Sequence, residues 1–182
     1  SRAYAVWDLF ASGATKLTPV ASNGARKRGS KFYPFMDPWG KGRALDVWFD
    51  SDAPKGRYSY SFRFYEDLPY FTVMCGFENR GKEAVKAAKF TPLKVSSENG
   101  GGVFVGADPA ATWILEDGYN TYFDFYVRLV PGGESTNSNW NSAIYDPATG
   151  RAAAFGFITV DRALVNVLSH YIADKSAVDA AS

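Results

Sequence analysis

Ser138-Asn139-Trp140-Asn141 is the segment of this chain best equipped to hold a sugar. The apolar face of a pyranose stacks on an aromatic ring. Its hydroxyls need groups that donate and accept at once, as side-chain amides do. Trp39, Tyr119 and Tyr145 stand in similar company, in or beside runs of Asn, Asp and Ser. The competing reading is structural, because loop Asn residues commonly cap turns. Sugar chemistry also has an enzymatic form: most glycosidases need two carboxyl groups, one acid and one base or nucleophile. Glu66, Asp67, Glu78, Glu98, Glu116, Asp117 and Asp124 are available. Asp124 alternates in step with Tyr122, Tyr126 and Arg128. That set makes either a sugar-binding sheet face or a solvated face with an Asp–Arg ion pair.

Other chemistries find less support. The single histidine, His170, stands near the end of the patterned region, and no Ser or Cys sits in a G-x-S-x-G elbow. One His and one Cys do not make a zinc site. Asp46, Asp50 and Asp52 offer oxygens to calcium, but without EF-hand spacing, and they read as a turn. No catalytic residue, metal ligand or cofactor is therefore assigned. Cys75 lies in an apolar alternating run and reads as a small core residue.

The charge balance is even, 20 basic against 19 acidic side chains, for a net charge of +1. That gives no electrostatic case for nucleic acid or an anionic membrane. Residues 26–31 form the one basic cluster, a solvated loop or a phosphate contact. No apolar run approaches the roughly 20 residues that span a bilayer. The chain opens on Ser1 with no signal-peptide pattern, which reads as a processed or excised form. A secreted or periplasmic location is compatible with it, but the compartment is not written in these residues.

The elements that must position these groups are strands. Of the 182 residues, 16% are aromatic, and aromatics suit a pleated, half-buried surface. Residues 1–16 read as a strand or short helix, and 19–44 as a long loop with at most a short strand. From Ala44, Leu45, Val47 and Phe49 alternate with Asp46, Trp48 and Asp50. A turn at residues 52–56 leads to Tyr58, Tyr60, Phe62 and Phe64, again strictly alternating. Tyr70 to Phe77 is the next strand, with a hairpin signal at residues 79–82. Val85 to Val95 follows, edge or bulged because of Pro92. Short strands at 103–105 and 113–115, a longer one at 122–129 and a hairpin over 141–160 complete the set. Leu164 to Leu168 is a further candidate. About nine to eleven strands between turn signals argue an all-β fold, an antiparallel β-sandwich over residues 1–172. Residues 173–182 read as a tail or linker.

Three segments in order carry a family resemblance: YEDLPYFTVMCGFENRGKEAVKAAKFTPLKV, GGVFVGADPAATWILEDGYNTYF and SNWNSAIYDPATGRAAAFGFITVDRA. Over residues 65–163 the chain resembles the N-terminal β-sandwich, or supersandwich, of α-galactosidase-like glycoside hydrolases. The resemblance implies a domain packed on a catalytic (β/α) barrel, whose Asp residues do the chemistry and which has no counterpart here. Asp117, Gly118 and Tyr119 fall on the family's "[ND]-G" loop, which approaches the substrate pocket. The sequel Tyr119-Asn120-Thr121-Tyr122 departs from the family's usual aromatic-rich one.

The first expectation is thus a non-catalytic domain of a carbohydrate-active enzyme that supports one wall of an active site. It implies a carbohydrate and a barrel domain as partners, and an apolar docking patch. The carbohydrate-binding candidates are Asp117, Gly118, Tyr119, Asn139, Trp140, Asn141 and Trp39. The alternatives are a self-sufficient carbohydrate-binding module, or a small β-sandwich glycosidase or polysaccharide lyase.

Overall fold

A computed structural model describes residues 3–11, 18–21, 27–52, 54–95, 103, 105–106, 108–119, 125–131, 134–159, 166–172 and 177–181. Almost all of these lie in antiparallel strands, so the fold is all-β and sandwich-like. The chain divides into two compact units, with the boundary between Pro92 and Leu93. The N-terminal unit is Ala5–Pro92, and the C-terminal unit is Leu93–Ser182 with Ser1–Tyr4.

In the N-terminal unit, Val6–Leu9 of β1 (Ala3–Ala11) pair with β2 (Thr18–Ala21). A four-stranded meander follows: β3 (Lys27–Asp37), β4 (Gly40–Asp52), β5 (Lys55–Tyr65) and β6 (Phe71–Asn79). Within the expected long loop over 19–44, the described residues are therefore corrected to strands joined at a turn at Pro38–Trp39. Prolines and glycines hid the alternation of Phe32, Pro34 and Met36 against Tyr33 and Phe35. β3 is an edge strand, where a proline is tolerated.

The cross-strand rows of the meander explain its core. Phe49, Tyr58 and Phe77 stand opposite one another, and Val47, Tyr60 and Cys75 form the next row on the same face. Tyr58 and Tyr60 are buried there, packed by Phe49, Phe62, Val73, Cys75, Phe77, Val85 and Phe90. Burial pushes the Cys75 thiol up to about 12, as expected of an inert core cysteine. β7 (Val85–Val95) supplies Val85 and Phe90 from a different sheet. Residues 79–82, expected to turn a hairpin, instead carry the chain from one sheet to the other.

In the C-terminal unit, Pro109–Ala111 form a 3-10 turn just ahead of β8. Its strands are β8 (Trp113–Tyr119), β9 (Phe125–Pro131), β10 (Thr136–Asn139), β11 (Asn141–Asp146), β12 (Arg151–Gly156), β13 (Asn166–Ile172) and β14 (Ala177–Ala181). One sheet has the order β12-β11-β8-β9. In the other, β10 pairs β13, β13 pairs β14, and β14 meets Lys94 and Val95 of β7. Residues 177–181, read from sequence as part of a tail, are thus a paired strand. Small side chains carry little pattern, so the strand was invisible to periodicity. Ile114 and Ile144 are the buried centre, with Val103, Val105 and Phe155 against them. The β11–β12 turn is tied by Asp146. It accepts from Thr149 Oγ1 at 2.6 Å and from Ala148 N–H at 2.9 Å, and Gly150 closes the turn with φ 70°.

Candidate functional site

β10 and β11 are one run of chain bent at a single residue, Trp140. β10 belongs to the sheet of β13, and β11 to the sheet of β8 and β12. Strands that switch sheets make the corners of sandwiches, and the bend needs unusual backbone. Trp140 supplies it with φ 62°, the one non-glycine residue with positive φ among those described. For an L-residue that conformation costs about 1–2 kcal/mol.

The groups around the bend explain how it is held. Phe157 N–H donates to the Trp140 carbonyl at 2.9 Å. Ser138 is wholly buried; its hydroxyl donates to the Leu115 carbonyl at 3.1 Å and accepts from Asp117 N–H at 3.2 Å. Ser142 Oγ donates to the same carbonyl at 2.8 Å. Side-chain hydroxyls thus bond backbone groups of β8 where the strand beside it bends away. At the surface, Asn141 Nδ2 donates to Asp117 Oδ2 at 2.9 Å.

The sequence candidates Asp117, Gly118, Tyr119, Asn139, Trp140 and Asn141 therefore meet at one end of β8. Trp140 is 37% exposed and Asn141 is exposed, while Asn139 is half-buried and Gly118 is buried. Tyr119 ends β8 opposite Phe125. Trp39 is not part of this corner. It sits in the N-terminal unit, in the β3–β4 turn. Part of the SNWN signal proves structural: the Ser138 hydroxyl is spent on the β8 backbone, while the Asn141 amide stays at the surface paired with the Asp117 carboxylate.

Sequence reasoning missed the surface leading to the corner. Along β8, Trp113, Leu115 and Asp117 share the outward face; Tyr145 and Ala143 lie opposite the first two on β11, and the Asn141 side chain bonds Asp117. Val127 and Leu129 continue the strip on β9 opposite Asp117 and Leu115, and are 68% and 57% exposed. An outward apolar strip thus runs into the Asp117–Asn141 pair. The signal was present in the unbroken run Trp113-Ile114-Leu115, apolar on both faces as in strands covered on both sides.

Several carboxylates of the enzymatic reading are occupied. Glu66 pairs with Lys41 at 2.9 Å and Glu78 with Arg80 at 2.7 Å. Glu116 is buried on the inward face of β8, in register with Ser142 and Arg128. The calcium candidate Asp50 instead accepts from Arg57 at 2.9 Å, with Arg28 and Arg80 nearby. The Arg57 hydrogen bond leads in holding its carboxyl below the ordinary range. Glu98, Tyr122 and Asp124 lie outside the described residues.

No protein-family model matches the chain. No curated protein matches it either.

Proposed function

We propose that this chain is a non-catalytic β-sandwich domain of a carbohydrate-active enzyme of the α-galactosidase-like kind, and that its Trp140 corner faces the sugar. The observation that carries the reading is the Trp140 backbone. A position at φ 62° favours Gly or Asn, yet it holds the largest side chain, with the ring partly in water. Strain of this kind persists where a function uses it. The Asn141–Asp117 pair beside the ring offers an amide and a carboxylate to sugar hydroxyls. The apolar strip from Trp113 and Tyr145 to Leu129 and Val127 is the kind of surface on which a missing catalytic domain would pack.

Calorimetry of the chain against a glycan panel, with hydrolysis of nitrophenyl α-galactoside in parallel, tests this. Binding without turnover is expected, weakened by Trp140→Asn, which suits the bend but removes the ring. Turnover by the isolated chain would point instead to the small-enzyme alternative.

A further inference from the structure

We infer that the N-terminal unit carries a second saccharide-binding site of its own, a platform of Trp39 and Tyr70 built on buried Tyr65. It shares with the proposed function only the class of ligand.

The turn Asp37-Pro38-Trp39-Gly40 is held from several sides. Pro38 sets its own φ, and Asp37 Oδ1 accepts from Trp39 N–H at 2.9 Å. Asp37 Oδ2 accepts from the Tyr65 hydroxyl at 2.9 Å and from Arg63 Nη1 at 3.2 Å. All this fixes the backbone at Trp39 while the residue stays 50% exposed. Trp39 is not among the described residues with positive φ, so its backbone does not call for a particular side chain there. A rigidly presented aromatic ring loses little freedom when a ligand lands on it.

The neighbouring rings form the platform. Tyr65 is 7% exposed; the Trp39 ring lies 6.4 Å from it at 55°, and Tyr70 lies 5.5 Å from it at 56°. Tyr70 is 48% exposed. Two half-exposed rings thus flank a buried one. Beside them, Lys41 Nζ and Glu66 pair at 2.9 Å in solvent, and Asp67 is exposed. These groups donate to and accept from hydroxyls. Three carboxylates (Asp37, Glu66, Asp67) against two cations (Lys41, Arg63) leave a net charge of −1, which disfavours phosphate, sulfate and nucleic acid. Rings for stacking, paired donors and acceptors, and no positive field fit a neutral oligosaccharide.

The test is calorimetric titration of the 182-residue chain with stachyose and with cellohexaose, on wild type, Trp39→Ala, Tyr70→Ala, Trp39→Tyr and Trp140→Asn. Trp39→Ala and Tyr70→Ala are expected to weaken one of the probes roughly tenfold. Trp39→Tyr, which keeps a ring, restores most of the affinity. In Trp140→Asn a binding component that depends on Trp39 survives. Failure of both probes to bind would overturn the inference, as would binding indifferent to Trp39→Ala. So would sedimentation showing self-association abolished by Trp39→Ala, because the surface would then be a protein contact. Loss in Trp140→Asn alone removes this site and leaves the proposed function; loss in the Trp39 and Tyr70 variants alone does the reverse.

Discussion

Trp140 sets two requirements against each other. Its backbone asks for Gly or Asn, and its side chain is the largest available. Comparing two ring-less variants separates them. Trp140→Asn and Trp140→Ala both lose the indole, but only Asn tolerates positive φ readily. We predict that the Asn variant is more stable than the Ala variant by about 1 kcal/mol in urea denaturation. Equal stabilities would mean that the bend is not strained. Ser138 makes a different claim at the same corner. Its buried hydroxyl serves both Leu115 C=O and Asp117 N–H, so Ser138→Ala is expected to cost about 1–3 kcal/mol. A cost near zero would show that other groups satisfy β8 there. The SNWN motif was legible as an aromatic-amide cluster. That its Ser was a buried strut and its Trp a backbone bend was not, because both depend on strand pairings that local sequence does not encode.

Among the elements, the β3–β4 hairpin is the clearest case of a strand pair hidden by composition. Pro34 and the glycines break the pattern of strand formers, yet the register runs unbroken from Gly29↔Trp48 to Asp37↔Gly40. The long alternating strands β4, β5 and β6 were legible because one face had to be apolar over many residues. Asp37 gives the hairpin a pH signature. Burial raises its carboxyl, but hydrogen bonds from Trp39 N–H, Tyr65 O–H, Gly40 N–H and Arg63 outweigh it and hold the group below the ordinary carboxylate range. A depressed folded value means that the contribution is full above the unfolded value of about 4 and is lost as pH falls through the folded one. The difference in urea midpoint between wild type and Asp37→Asn should therefore shrink as pH drops below about 4. A difference that stays constant down to pH 2 would contradict this role.

For the whole molecule, the all-β strands gather into two compact units, one with a core around Tyr58 and Tyr60 and one with a core around Ile114 and Ile144. The all-β class was legible from turn spacing and alternation. The division was not, because its boundary falls inside β7 and no linker composition marks it. Ile144 is 1% exposed, so Ile144→Ala is expected to cost about 2–5 kcal/mol by denaturation. The proposed function has the Trp140 corner contact sugar without hydrolysing it. Its most direct test is calorimetry of wild type and Trp140→Asn against a galactosyl oligosaccharide such as stachyose, with nitrophenyl α-galactoside hydrolysis measured on the same samples. Wild type is expected to bind, the folded Trp140→Asn variant to lose affinity, and neither to hydrolyse. Hydrolysis by the wild-type chain, or affinity untouched by the substitution, would contradict it.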